Sequence, residues 1–522
     1  MKTNTTLTAL ADLLREEGID ARLARCPQGD DEGVCGVDCD SRRAGAGRLF
    51  VCKGAAFRPS YLADALAAGC GAYLCAESRA AELAVVAPDA CALVVPDKEL
   101  RRAMALVSAE AWGHPERHLR IIGVTGTKGK STCTYMIRSI LDAGATDGGA
   151  RAAILGSIET FDGVERFESV NTTPEAPDLW RHLANAVAAG LPYLVMEVSS
   201  QALKYERVVG LGLSVGCFLN IGRDHISPAE HPSFEDYFNS KLRIFDQSRT
   251  AVVNLDMDHA ARVERAARAA ACERVTRFSA GTHAAPGFAE VWARDVTSTG
   301  DGLRFVAHTP RWERELTLPM PGSFNVENAL CAIAACEDVG ASPDQIARGL
   351  ARAVVPGRME LLPTADPRVT GIVDYAHNKL SYQRFFASMS EEFAGRAIIA
   401  VLGAPGGKAF ERRVELPREA ARWADHLIYT EEDPACEDVA SICAQLSQAT
   451  PPDTPHDIVL DREAAIRRAV DLAFSSPTGA LVCLLAKGDE TLQHEGDAFV
   501  PCETDATLFR RAVADHLATT SS

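Results

Sequence analysis

An α/β protein of three domains built on mostly parallel sheets is what this sequence predicts, and three observations carry the prediction. Short apolar runs such as "RIIGVTG", "YLVMEVSS", "AIIAVLG" and "ALVCLLAKG" alternate with helical patterns, as do parallel strands covered on both faces. At 522 residues the chain is too long for a single hydrophobic core. The stretch "GVTGTKGKSTCTYMIRSIL" places a glycine-rich turn between a strand and a helix, the arrangement that cradles phosphate.

The elements fall into three segments. Residues 1–115 carry strand-like "GRLFVCKG", "GAYLCA" and "CALVVPD" between alanine-rich helices. Residues 116–356 add "AAILGS", "SVGCFLNIG" and "AVVNLD", and residues 357–522 add "GIVDYAH", "HLIYTEED" and "DIVLD". Ligands of such sheets gather beyond the carboxyl ends of the strands, where polar residues end each run.

Composition narrows the function. With 47% hydrophobic and 24% charged residues, the chain reads as an ordinary soluble globular protein. A formal net charge of −17 argues against nucleic acid or anionic membranes as partners, so anionic substrates need local basic loops or metal ions. The start "MKTNTTLTALADLL" has no signal-peptide pattern, and no apolar run reaches the ~18–20 residues that span a bilayer. A cytoplasmic monomer without membrane insertion is expected. The 16 cysteines include no CxxC pair, so reduced, mostly buried thiols are expected rather than zinc ligands.

In "GTKGKS" the glycine spacing departs from the usual P-loop, since Val124 stands five residues before Gly129 and the nearest upstream glycine is Gly126. The chemistry survives the change. Lys130 is expected to reach terminal phosphate oxygens and Ser131 to ligate Mg²⁺. Glu197 ends the apolar run "YLVMEVSS", where a lone carboxylate is costly unless paired or metal-bound. Asp224 and His225 follow another strand in "CFLNIGRDH". In "SFEDYFNSKLRIFD" Ser233 is placed to cap a helix with Glu235 and Asp236 in its first turn. At helical spacing Phe234, Tyr237, Phe238, Leu242 and Phe245 share one face, and Lys241 projects from its middle. Either the ammonium snorkels to water, or carbamylation converts the amine into an anionic oxygen ligand able to bind a second metal.

Taken in order, "GTKGKST", "NTTPEAPDL", "MEVSSQAL", "NIGRDH" with "DYFNSKLRIF", "GSFNVENALCAIAAC", "PGRME" and "VDYAH" resemble the Mur ligases over nearly the whole chain. The amino-terminal "DSRRAGAGRLFVCKG" resembles the branch that adds the third amino acid to UDP-MurNAc-L-Ala-D-Glu in peptidoglycan synthesis. The resemblance implies a UDP-MurNAc-binding domain at 1–115, a central ATP-binding P-loop domain at 116–356 and a Rossmann-like, amino-acid-binding domain at 357–522. It implies that Gly126, Thr127, Lys128, Gly129, Lys130, Ser131 and Thr132 hold ATP phosphates, and that Ser131, Glu197, His225 and carbamylated Lys241 hold two Mg²⁺. Asn325 and Asn328 would lie near adenine, with Arg358 and Asp374 contacting phosphate and ribose. Ser41 matches a residue at the uridine end. Thr172, Thr173, Ser199 and Arg207 match contacts to the muramoyl-dipeptide, and His377 lies close to the reacting groups.

The implied reaction passes through an acyl phosphate, with Lys130, Arg358 and metal ions easing the approach of two anions. Closure of the carboxyl-terminal domain would exclude water. The diaminopimelate-adding form carries Asp-Asn-Pro-Arg, whose arginine meets the substrate's distal carboxylate; here Glu432, Asp433, Pro434 and Ala435 stand in its place. Carboxylates suit a distal ammonium, and "DYAHNKLS" and "LGAPGGKAFERR" resemble the lysine-adding branch. Glu490 in "AKGDET" resembles a residue near the incoming amino acid. L-Lysine is favoured, with L-ornithine or meso-diaminopimelate as alternatives. Folylpolyglutamate synthases share the P-loop and mechanism but lack the extra first domain. A scaffold that merely kept the fold would have lost Lys130, Glu197, His225 or Lys241.

Overall fold

The structure is a computed structural model that describes residues 5–26, 33–146, 148–224, 226–227, 230–270, 272–281 and 283–520. The chain forms two compact units, Met1–Trp292 with Leu330–Ile346, and Ala293–Ala329 with Ala347–Ser522.

The first unit contains two sheets. The smaller runs Arg22–Ala24, Cys91–Val95, Ala72–Ala76, Arg48–Cys52, Gly36–Asp38 in spatial order. Its first pair is antiparallel and the others are parallel. Its middle strands are buried along their whole length, as an apolar run covered on both faces must be. The antiparallel edge pairing brings Cys26 to Cys91, which form a disulfide. At this one pair the structure departs from the expected reduced thiols: register across a sheet edge decides proximity, and sequence spacing does not. Cys52, Cys75, Cys133, Cys217 and Cys331 are free and buried.

The larger sheet of this unit starts with a short antiparallel hairpin, Glu159–Phe161 and Arg166–Glu168, beside Ala152–Leu155. From there it continues in parallel through Tyr193–Glu197, Arg120–Thr125, Leu213–Phe218, Ser248–Asn254, Arg274–Ser279 and the first residues of Val291–Ser298. Ile121, Ile122 and Val124 are fully buried in the central strand. After Arg120–Thr125 the chain adds strands first on one side and then on the other, so the crevice beyond Thr125 is a topological switch point.

The second unit holds the antiparallel pair Leu303–His308 and Glu313–Leu318 and a six-stranded sheet. That sheet is ordered Glu360–Pro363, Val369–Asp374, Ala480–Leu485, Ala397–Leu402, His426–Tyr429, His456–Ile458, antiparallel only at its first pair. Three of its helices start on side-chain caps: Asn378 with Ser381 makes a capping box, and Asp438 and Asp461 cap two others. Among the described residues no helix is long and apolar enough to cross a membrane.

Candidate active site

The strand Arg120–Thr125 ends at the glycine-rich loop, and the helix Lys130–Asp142 begins one residue before Ser131. Gly129 precedes the helix at φ 85°, a conformation glycine adopts without strain. At Gly126 an added Cβ would lie 3.0 Å from Leu219 Cβ, so the loop presses against the segment that follows Leu213–Phe218. That segment straps it. Thr127 N donates to Asn220 O at 3.1 Å, Lys128 N donates to Asn220 Oδ1 at 2.9 Å, and Asn220 Nδ2 donates back to Lys128 O at 3.0 Å. Lys128 also pairs with Asp224. Ser131 is half-buried and Thr132 buried in the first helical turn. Lys130 Nζ donates to Gly126 O and Thr127 O, at 3.0 and 3.3 Å, which curls the ammonium over the loop.

Glu197 is 1% exposed and stands opposite Val124 in the parallel register. Ser157 N donates to its Oε1 at 2.7 Å, and the Ser157 hydroxyl lies 3.3 Å from Oε2 and 3.0 Å from Thr172 Oγ1. Gly156 leaves the space this carboxylate occupies, since a Cβ there would meet Oε1 at 2.6 Å. Among the described residues Glu197 makes no ion pair, so the pairing with a basic neighbour that would explain it structurally is not present. Thr173 Oγ1 donates to Glu197 O and accepts from Ser199 N, and Ser199 caps the helix Ser200–Lys204. Arg207 Nη1 donates to Thr173 O at 3.1 Å. Thr172, Thr173, Ser199 and Arg207 are thereby gathered around one strand end. Ser41, further along the unit, opens the short turn Ser41–Arg43 capped by Asp40.

Lys241 is buried on its helix rather than extended to water. The helix Phe234–Leu242 starts on Ser233, whose hydroxyl accepts from Asp236 N. Tyr237 and Phe238 are buried with Lys241, which is 2% exposed and does not snorkel. Its Nζ lies 4.8 Å from the Tyr237 ring centroid and donates to Gly126 O at 3.0 Å. Lys130 and Lys241 therefore share one loop carbonyl. Burial, reinforced by the neighbouring Lys130 charge, holds Lys241 well below the ordinary lysine range. His225 lies outside the described residues.

The remaining predicted residues belong to the second unit. Asp374 ends Val369–Asp374 and accepts from Met359 N and Ala376 N, at 2.9 and 2.8 Å. Burial raises its carboxyl, opposed by Arg358. Arg358 stacks 4.1 Å from the Tyr375 ring centroid, and its buried Nη1 has no hydrogen-bond partner among the described residues. His377 Nδ1 lies 2.7 Å from Tyr375 O. Asn325 Nδ2 donates to Pro321 O, and Asn328 Nδ2 donates to Asn325 Oδ1. Glu432 is buried, and that burial pushes its carboxyl up to about 7 against the pull of Arg462. Asp433 and Glu490 each lie 3.0 Å from Lys487 Nζ, so two carboxylates expected near the incoming amino acid already hold an ammonium from the chain.

Comparison with known proteins decides the family. Residues 124–336 match the Mur ligase middle domain and residues 357–488 the Mur ligase glutamate ligase domain. The chain is 36% identical to the UDP-N-acetylmuramoyl-L-alanyl-D-glutamate–L-lysine ligase of Enterococcus faecalis, across 91% of each chain. It belongs to the Mur ligase family. The fold of this Mur ligase also matches solved structures. A UDP-N-acetylmuramoyl-L-alanyl-D-glutamate–2,6-diaminopimelate ligase superposes with a TM-score of 0.67 at 22% identity, covering 99% of this chain and all of that one. Mycobacterium tuberculosis folylpolyglutamate synthase, complexed with ADP and AMPPCP, gives 0.57 at 17% identity and covers 74% of this chain and 92% of its own.

Sequence reasoning missed three residues that shape the sites of this Mur ligase. Asn220 straps the phosphate loop, and its only signal was a polar residue ending the run "SVGCFLN". Ser157 holds Glu197 from another strand's end. Lys487 holds Asp433 across 54 positions of sequence, a separation no local pattern reveals.

Proposed function

We propose that this Mur ligase couples ATP cleavage to formation of an amide between an amino acid, L-lysine, and the side-chain carboxylate of UDP-MurNAc-L-Ala-D-Glu. We assign residues 1–115 to the uridine end, 116–356 to ATP and 357–522 to the amino acid. The substrates place the reaction in the cytoplasm.

A carboxylate does not react with an amine, so it is first activated. A D-Glu side-chain oxygen attacks the γ-phosphorus of ATP, the bond to the bridging oxygen breaks, and ADP leaves an acyl phosphate. The lysine α-amine, as the free base, then attacks the acyl carbon. The tetrahedral adduct expels phosphate and the nitrogen loses a proton. In the first half the reacting groups are both anions, and Lys130 and the loop N–H groups offset their repulsion. Arg358, whose buried Nη1–H has no partner among the described residues, is assigned to phosphate. Thr172, Thr173, Ser199 and Arg207 orient the dipeptide. His377 and Glu490 serve the incoming amino acid, and Asn325, Asn328 and Asp374 serve the nucleoside.

The donors suit Mg²⁺: Glu197 is a buried carboxylate held by neutral donors, and Ser131 adds a hydroxyl. An ammonium at Lys241 could not ligate a cation, but its carbamate could. When bound, the ions would supply charge neutralisation at the phosphates, with Ser131, Glu197, His225 and carbamylated Lys241 as ligands. The observation that carries the reading is Lys241, a buried amine held well below the ordinary lysine range and 3.0 Å from the carbonyl of Gly126. A neutral amine is the form that adds to CO₂.

Lysine is favoured over diaminopimelate because Ala435 stands where an arginine would meet a distal carboxylate, and the name of the Enterococcus relative supports the same choice. A folylpolyglutamate-synthase reading leaves the first, five-stranded segment without a role. The test is ADP release. It should require UDP-MurNAc-L-Ala-D-Glu and an amino acid together, with L-lysine ahead of L-ornithine and meso-diaminopimelate. Faster turnover with diaminopimelate would overturn the lysine assignment.

A further inference from the structure

The first unit carries a half-buried ion triplet of which the reaction as described uses only Arg207. Lys53 follows the strand Arg48–Cys52, and its Nζ lies 2.6 Å from Glu175 Oε2. Arg207 Nη2 lies 2.8 Å from the other oxygen, Glu175 Oε1. All three side chains are at most 16% exposed. Glu175 occupies the N-cap position of the helix Ala176–Ala188, yet its side chain does not cap that helix; it is turned instead to the two cations. Burial pushes the Glu175 carboxyl up, but Lys53 and Arg207 together hold it below the ordinary range, so it is ionised. The triplet therefore carries a net positive charge.

Arg207 is fixed at one end by its bond to Thr173 O, while its Nε–H is buried without a hydrogen-bond partner among the described residues. A buried, unpaired guanidinium N–H beside an excess positive charge suits an anion. Were Lys53 absent, Glu175 and Arg207 would neutralise one another, leaving Arg101 as the remaining cation that acts on Glu175.

We infer that Lys53 is a positioning residue for substrate binding: by sharing Glu175 it leaves Arg207 aimed at, and electrostatically free for, a carboxylate of the nucleotide-dipeptide. The inference rests on the functional reading that gives Arg207 to the dipeptide. It ties the first sheet to the strand ends that hold Glu197, because Lys53 comes from the former and Thr173 bonds to the latter.

The experiment uses the full chain and UDP-MurNAc-L-Ala-D-Glu, with binding followed by calorimetry and turnover at steady state. Lys53→Met should raise both Kd and KM for the nucleotide-dipeptide about tenfold, the scale of one lost charged hydrogen bond. The KM values for ATP and L-lysine should stay unchanged. Lys53→Arg, which keeps the charge, should restore most of the affinity. Unchanged affinity in Lys53→Met would overturn the inference. So would an equal loss in Lys53→Arg or a parallel loss of ATP affinity, because either makes Lys53 merely structural. If the unaltered chain binds no UDP-MurNAc-L-Ala-D-Glu, the functional reading itself falls and takes this inference with it.

Discussion

Two buried lysines, one in each unit, meet opposite fates. Lys241 and Lys487 are 2% and 3% exposed, so both lose nearly the same hydration. Lys241 Nζ bonds to a carbonyl and lies near another lysine, and burial with the Lys130 charge outweighs the pull of Asp224 and drives it toward the neutral amine. Lys487 Nζ has Asp433, Glu490 and the carbonyl of Leu492. Burial disfavours its charge too, but the two carboxylates outweigh that and raise it above the ordinary range. The lesson is that burial alone does not decide protonation; the partners do. One lysine is pushed toward the neutral amine and the other toward the cation.

The largest expected effect breaks the first half of that contrast. Lys241→Ala should abolish turnover, by at least about a hundredfold on the scale of a lost transition-state donor, and high bicarbonate should not restore it. Because burial and the Lys130 charge outweigh the pull of Asp224 on this amine, the variant should unfold no earlier than the parent. Normal turnover would end the carbamate proposal. Lys130→Ala should cost about as much in kcat, again on the order of a hundredfold, while leaving L-lysine affinity intact.

The second half is tested by stability. Lys487→Met leaves Asp433 and Glu490 facing each other without a cation, and should cost about 2–3 kcal/mol, as loss of charged hydrogen bonds does. Urea denaturation of the two methionine variants, Lys241→Met and Lys487→Met, is the direct comparison. Equal midpoints would show that the carboxylates around Lys487 contribute nothing.

The contrast also marks what sequence could reveal. The phosphate loop was legible because its backbone geometry admits few residues besides glycine, and its chemistry few besides lysine and serine. Glu197 stood out as an acid ending an apolar run, and Lys241 as a cation on an aromatic helical face. The parallel strands were legible for the same reason, being unbroken apolar runs. The hairpin Glu159–Phe161 and Arg166–Glu168 was not, since its strands are short and the second is exposed throughout. Partners distant in sequence were equally hidden. Nothing near Asp433 announces Lys487, nothing near Cys26 announces Cys91, and Glu175 reads locally as a helix-start acid although its carboxylate serves Lys53 and Arg207. Local chemistry is written in the motif, whereas electrostatic partnership is written in the fold.

A change of similar size sharpens the contrast through pH. Glu432 sits near the Lys487 cluster, where burial lifts its carboxyl from an ordinary 4.5 to about 7. Arg462 and Arg412 pull it down, while Asp433 and Glu490 push it further up. Between those two values the unfolded chain has released this proton and the native chain still holds it. The unfolded state binds fewer protons there, so stability falls as pH rises across the window and levels off above about 7. The whole change is on the order of 3 kcal/mol. Glu432→Gln cannot ionise and should flatten that slope, as denaturation midpoints at pH 5 and pH 8 would reveal. An incoming ammonium favours the ionised form, so L-lysine should bind the parent more tightly as pH rises through 7, and Glu432→Gln should lose that dependence. Parallel pH profiles in parent and variant would leave Glu432 a passive buried acid, and the fixed cation at Lys487 would then hold Asp433 and Glu490 without any protonation linked to the amino acid.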